Sequence, residues 1–93
     1  MVIKIVIPTP LRASVSGKHE LEYNKEDTIY NILIHFSSEF PKLKQYLLSS
    51  DGRLQKFVNF YVNEVDIRDL KNELTQLKDG DVLSIIPAIA GGF

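Results

Sequence analysis

The sequence predicts an α+β fold, with a mixed sheet of four or five strands and one main helix packed on one face. Three observations predict it. Strongly apolar, β-branched runs stand near both ends of the chain, at residues 2–7 and 82–86. A polar–apolar alternation at residues 18–23 follows the first run at hairpin distance. Between these runs lies one long stretch, residues 28–40, whose apolar residues fall at spacings of three and four.

Each element has its own warrant. Residues 2–7 form a strand, with Ile3, Ile5 and Ile7 on one face by the two-residue period of an extended chain. Only Lys4 interrupts the run, so both faces read as largely apolar and the strand as central. Pro8 and Pro10 end it, and residues 11–17 read as a loop. In residues 18–23, His19, Leu21 and Tyr23 face one way and Lys18, Glu20 and Glu22 the other, as in a half-buried strand returning from a hairpin.

Asp27 or Thr28 can cap a helix whose stripe is Ile29, Ile32, Leu33, Phe36 and Phe40. Pro41 breaks it, and Leu43, Tyr46 and Leu47 repeat the spacing over a second, short helix. Residues 49–52 are a turn. Residues 57–62 are a strand, with Val58, Phe60 and Val62 on one face and Phe57, Asn59 and Tyr61 on the other. Residues 63–66 read as a turn, and residues 67–77 as irregular or briefly helical.

Asp79-Gly80-Asp81 is a tight turn in which Gly80 is free to take positive φ. The last strand, residues 82–86, puts Leu83 and Ile85 on one face and Ser84 and Ile86 on the other. Hairpin first, helix next, and the two most apolar strands side by side in the centre make a β-grasp.

Composition narrows the function classes. The 93 residues make one domain, 1–93, with an extended tail at 87–93. A formal net charge of -1, with both signs interspersed, gives no footprint for nucleic acid or for a polybasic membrane surface. The apolar runs are too short to span a bilayer. The N-terminal run lacks the basic region and cleavage site of a signal peptide, which leaves the cytoplasm as the expected location.

There are no cysteines, which excludes disulfides, thiolate nucleophiles and thiolate metal sites. His19 and His35 lie on different elements, too few and too far apart for a metal site. No Gly-x-Ser-x-Gly elbow, calcium loop or phosphate-cradling glycine loop is present. No catalytic residue and no bound cofactor are expected of this chain.

One stretch stands apart: Pro87-Ala88-Ile89-Ala90-Gly91-Gly92-Phe93. A glycine pair lets the backbone lie extended in a narrow channel. Together with the β-grasp order and with residues 77–87, it resembles the ubiquitin-like sulfur carriers. That family includes the small subunit of molybdopterin synthase and the thiamine-pathway carrier (the MoaD/ThiS group). The stretch Phe57-Val58-Asn59-Phe60-Tyr61-Val62-Asn63, taken with the tail, is most similar to the branch that works with cysteine synthase.

The resemblance implies a mechanism. A ubiquitin-activating-enzyme-like adenylyltransferase would use ATP to adenylate the Gly92 carboxylate. A sulfur donor would then displace AMP and leave a thiocarboxylate. The sulfur would pass to an acceptor, most simply an activated serine held by a cysteine synthase. A pterin precursor or the thiamine pathway is the alternative, as is conjugation of Gly92 to lysines of other proteins. A plain non-covalent binding module, with Phe93 as its anchor, is a further class.

The residues suit this chemistry. A carboxylate is a poor electrophile until it gains a leaving group, and Ala88, Ala90, Gly91 and Gly92 are slim enough to enter a buried nucleotide site. Pro87 stiffens the exit from the strand. The six residues 87–92 reach roughly 20 Å when extended.

Phe93 departs from the family pattern, because members that work directly end at the second glycine. The resemblance therefore implies a precursor from which a metallopeptidase removes Phe93, with Gly92-Phe93 as the processing site. Phe57, Asn59, Tyr61, Ser84 and Ile86 form the second candidate site. Their face is either a second buried layer under residues 67–77 or a solvent-facing patch that docks partners beside the tail.

Overall fold

A computed structural model describes residues 2–87. Its strands are β1 (Ile3–Val6), β2 (Glu20–Tyr23), β3 (Asp27–Thr28), β4 (Val58–Val62), β5 (Val65–Asp66), β6 (Gln76–Leu77) and β7 (Val82–Pro87). Its helices are α1 (Ile29–Glu39) and α2 (Pro41–Leu47).

Five strands form one mixed sheet in the order β2-β1-β7-β4-β5, and β3 and β6 pair separately. β7 runs parallel to β1 and antiparallel to β4. A hairpin, a crossing helix and a parallel central pair make this a β-grasp, as the sequence predicts.

The core lies between the sheet and α1. Ile3, Ile5, Leu21, Val58, Phe60, Leu83 and Ile85 are buried from the sheet side, and Ile29, Ile32, Leu33 and Phe36 from α1. Burying each such side chain contributes about 1.5–3 kcal/mol. Thr28 caps α1, its hydroxyl accepting from Asn31 N at 3.2 Å. Asp27 braces the same turn. It accepts from Asn31 Nδ2 and Thr28 N, both at 2.8 Å, and from the Tyr23 hydroxyl at 3.1 Å.

Three local expectations are corrected. Residues 9–15 are a 3₁₀ helix, not a loop, with Leu11 and Val15 buried beneath it. Proline at its start suits a helix whose first N–H groups lack partners. β1 is not apolar on both faces in effect, because Lys4 is exposed and Val6 half-buried while Ile3, Ile5 and Ile7 fill the core. Residues 63–66 are not one turn. Asn63 and Glu64 alone turn the chain, at φ 49° and 73°, and Val65 and Asp66 return as the edge strand β5.

The irregular segment 67–77 contains two 3₁₀ turns, Ile67–Asp69 and Asn72–Leu74, before β6. Ile67 and Leu77 are buried within the common core, and the second turn packs on α1.

Candidate functional site: an embedded strand and its open face

β7 is the most deeply embedded strand of the sheet. Its start is fastened to both neighbours. Gly80 takes φ 88° at the turn before it and donates to Val2 O at 2.9 Å. Lys4 N donates to Asp81 O at 3.1 Å. On the other side Asn63 works as a clasp. Its backbone N–H donates to Val82 O at 2.9 Å, its Oδ1 accepts from Val82 N at 3.0 Å, and its Nδ2 donates to Asp81 Oδ1 at 2.9 Å. The left-handed backbone of Asn63 turns its carbonyl aside, and the side-chain oxygen takes that acceptor's place.

Register then fixes how the last described residue of the strand sits. Pro87 stands opposite Val58, the first residue of β4. By the alternation of an antiparallel pair, the backbone nitrogen of residue 87 points away from β4, past the end of β1. A residue without an N–H costs no sheet bond there. Pro87 is the last described residue of β7. Ala88, Ile89, Ala90, Gly91, Gly92 and Phe93 lie outside the described residues, so the attachment point and the processing site do too.

The open face of the sheet is the second part of the site. Asn59 stands directly opposite Ile86, and Tyr61 opposite Ser84. None of Phe57, Asn59, Tyr61, Ser84 and Ile86 is buried, and Ile86 is 45% exposed. Residues 67–77 pack on the helix side and at the sheet edge, so the buried-layer alternative is overturned. Phe57 precedes β4 and packs against the rim of the core, apart from the four strand residues.

The two-residue period adds members the sequence reading left out. Val6 stands beside Ser84 and Lys4 beside Val82 on this same face. The signal was present, because Val6 and Lys4 alternate with the isoleucines of β1. It was hidden by reading both faces as buried. The middle of the face mixes Ile86, Tyr61 and Val6 with Asn59 and Ser84, and charge pairs flank it. Lys4 Nζ lies 3.9 Å from Glu20, and Arg68 Nη2 lies 2.7 Å from Asp66 Oδ2. The Arg68 guanidinium and backbone N–H hold the Asp66 carboxyl below the usual carboxylate range.

Chemistry by side chains has little purchase here. Among the described residues no three His, Cys, Asp or Glu side chains converge on a metal-sized space. His19 is exposed, and His35 stands edge-on to Tyr23 with Nε2 3.6 Å from Glu39. Among the described residues no helix is long and apolar enough to cross a membrane.

A family model described as the ThiS family matches residues 5–92. The chain belongs to the ThiS family. This places it among the ubiquitin-like sulfur carriers that its sequence resembles. The sulfur carrier protein CysO of Mycobacterium tuberculosis is 34% identical over 94 residues, covering 99% of this ThiS-family chain and 100% of the relative.

Among solved structures, one is the Amycolatopsis orientalis BexX/CysO complex. It superposes with a TM-score of 0.84 at 34% identity, covering 97% of this chain and 99% of that one. The small archaeal modifier protein 1 of Methanosarcina acetivorans superposes with a TM-score of 0.85 at 26% identity, covering 98% and 96%.

Proposed function

We propose that this chain carries sulfur as a thiocarboxylate on Gly92 and delivers it in the biosynthesis of cysteine. It acts as a substrate of partner enzymes in the cytoplasm, not as an enzyme, and binds no cofactor of its own. The Gly92 carboxylate oxygen attacks the α-phosphorus of ATP on an adenylyltransferase, and pyrophosphate leaves. A sulfide-level donor then attacks the acyl carbon, AMP leaves, and the Gly92 thiocarboxylate remains. A cysteine synthase supplies the acceptor. A metallopeptidase first hydrolyses the Gly92-Phe93 bond, because the benzyl side chain would obstruct a channel shaped for glycine.

The observation that best supports this reading is β7, which is held on both sides and runs up to Pro87. The arm it begins is a short, slim sequence on a rigid base, and a rigid base keeps the orienting cost low for a partner that must align one carboxyl carbon. The full-length likeness to named sulfur carriers supports the same conclusion.

The test compares the 93-residue chain with one lacking Phe93, each given the activating enzyme, ATP and sulfide. Only the 92-residue chain should gain the oxygen-to-sulfur mass shift. An equal shift in both refutes the precursor step. The face around Tyr61 and Ile86 docks the partners. Tyr61→Glu with Ile86→Asp should weaken binding at least tenfold with the fold intact, and unchanged binding removes the face from the proposal.

The likeness to a small archaeal modifier protein favours a second reading, in which Gly92 is joined to lysines of other proteins. Isopeptide adducts in the native cells, with no thiocarboxylate, would establish it.

A further inference from the structure

The outer edge of β4 is only half used. β5 pairs with Tyr61 and Val62 alone, and the chain then bends away at Ile67 into a 3₁₀ turn. Among the described residues, 58–60 therefore have β7 on one side and no strand on the other. Asn63 N donates towards β7, so the alternation of an antiparallel ladder points the N–H and C=O groups of Val58 and Phe60 outward.

These groups open onto a cleft of about 410 Å³. Its lining includes Leu54, Lys56, Ile67, Arg68 and Glu73. Leu54 is half-buried and Ile67 buried, so the floor is apolar and the rim charged.

A row of unpaired strand groups is a template for another strand, and natural sheets blunt such edges with charge or cover them. The opposite edge of the sheet, β2, carries Glu20 and Glu22. At β4 the corresponding residues, Val58, Asn59 and Phe60, carry no charge, and the charged side chains stand at the rim of the cleft.

The cleft also lies beside the last described residue. Val58 lines it and stands opposite Pro87. On the carrier reading, an enzyme that holds the Gly92 carboxylate works within reach of this corner, because the five residues after Pro87 span at most about 17 Å.

We infer that the open edge of β4 takes up a short extended segment of the enzyme that activates the tail, as a sixth strand beside residues 58–60. This rests on the carrier reading and names how the enzyme grips its substrate. The segment's backbone pairs with the outward groups of Val58 and Phe60. Its side chains alternate, one apolar residue between Leu54 and Ile67 and polar neighbours on the Asn59 side. The Arg68–Asp66 pair closes the far end, because it stands where β5 turns away.

The experiment uses the 92-residue chain and an adenylyltransferase from the same cells. Residue-resolved amide hydrogen exchange is measured on the carrier, free and in the enzyme complex. The amides of Val58 and Phe60 should slow at least tenfold in the complex. Those of Asn59 and Tyr61, already directed at β7, should change little. Val58→Pro removes one outward donor at a strand's first residue, where proline is tolerated. It should raise the carrier's KM in ATP–pyrophosphate exchange about tenfold and leave kcat near the wild-type value.

Free-state exchange at Val58 and Phe60 in a complex that still forms adenylate overturns the inference. So does an unchanged KM in a folded Val58→Pro chain. Failure to form any adenylate on wild-type carrier is a separate result, recognised by the missing adenylate mass, and overturns the carrier reading and this inference with it.

Discussion

Asn63 is the residue whose replacement should most directly loosen the base of the arm. Asn63→Ala removes the acceptor for Val82 N and the donor to Asp81, both in exposed surroundings. Exposed bonds contribute at the low end of the usual range, about 0.5 kcal/mol each. Asn63 also holds φ at 49°. An alanine in that left-handed region costs about 1–2 kcal/mol, which asparagine's local hydrogen bonds relieve. The sum is about 2–3 kcal/mol.

For a chain of 93 residues, at roughly 2.1 cal/mol/K of unfolding entropy per residue, that is a fall in Tm of roughly 10–15 °C. Asn63→Gly separates the two contributions. It loses the bonds but not the backbone freedom, so it should fall by only about 1 kcal/mol. Urea and thermal unfolding followed by circular dichroism measure both. Equal losses in the two variants would refute the backbone argument, and no loss in either would refute the clasp altogether.

Three more outcomes follow from neighbouring features. Glu64 sits at φ 73° in the second position of a two-residue hairpin turn, where glycine is favoured. Glu64→Gly should stabilise by about 0.5–1 kcal/mol and raise Tm by a few degrees, and a drop in Tm would show that the turn is not strained. The buried Ser37 hydroxyl has no hydrogen-bond partner among the described residues, so Ser37→Ala should be neutral or stabilising by up to about 1 kcal/mol in urea unfolding. A clear loss would reveal a bond to that hydroxyl.

Asp27 is held below its ordinary value, chiefly by the Asn31 side chain, then by Thr28 N–H, Tyr23 and Lys25. A carboxyl depressed in the folded state stabilises above its unfolded pKa of about 3.9, and that contribution is lost as pH falls through the lower folded value. Asp27→Asn should therefore flatten the acid end of the stability curve below about pH 4. An unchanged acid limb would remove Asp27 from the balance.

The parts of the fold legible in the sequence were those written as periodicity. Ile3, Ile5 and Ile7 announce one buried face, and Ile29, Ile32, Leu33 and Phe36 announce another at helical spacing. The pairing of the two apolar strands followed from their both needing a buried place. What stayed hidden was set by backbone chemistry with a weak residue code. Proline at residues 8 and 10 reads as a breaker, yet it starts a 3₁₀ helix that buries Leu11 and Val15.

The Asn63-Glu64 turn lacks the glycine that would have marked a hairpin, so β5 passed for part of a loop. The site was legible where it depends on alternation along one strand, as with Asn59 beside Tyr61 and Ser84 beside Ile86. The membership of Val6 and Lys4 in the open face was not, because it depends on the register of a parallel pair. Their partners, Ser84 and Val82, lie 78 positions along the chain (84 minus 6, 82 minus 4).

The placement of β7 has a mechanical consequence. A partner that pulls on the tail loads this strand along its own length, between β1 on one side and β4 on the other. The hydrogen bonds of both ladders lie across the direction of pull, so they must shear together and cannot open one at a time like a zip. The handle is anchored in the geometry that best resists traction. On the proposed carrier reading, an enzyme that drew residues 88–92 into a channel would meet this resistance before the domain unravelled.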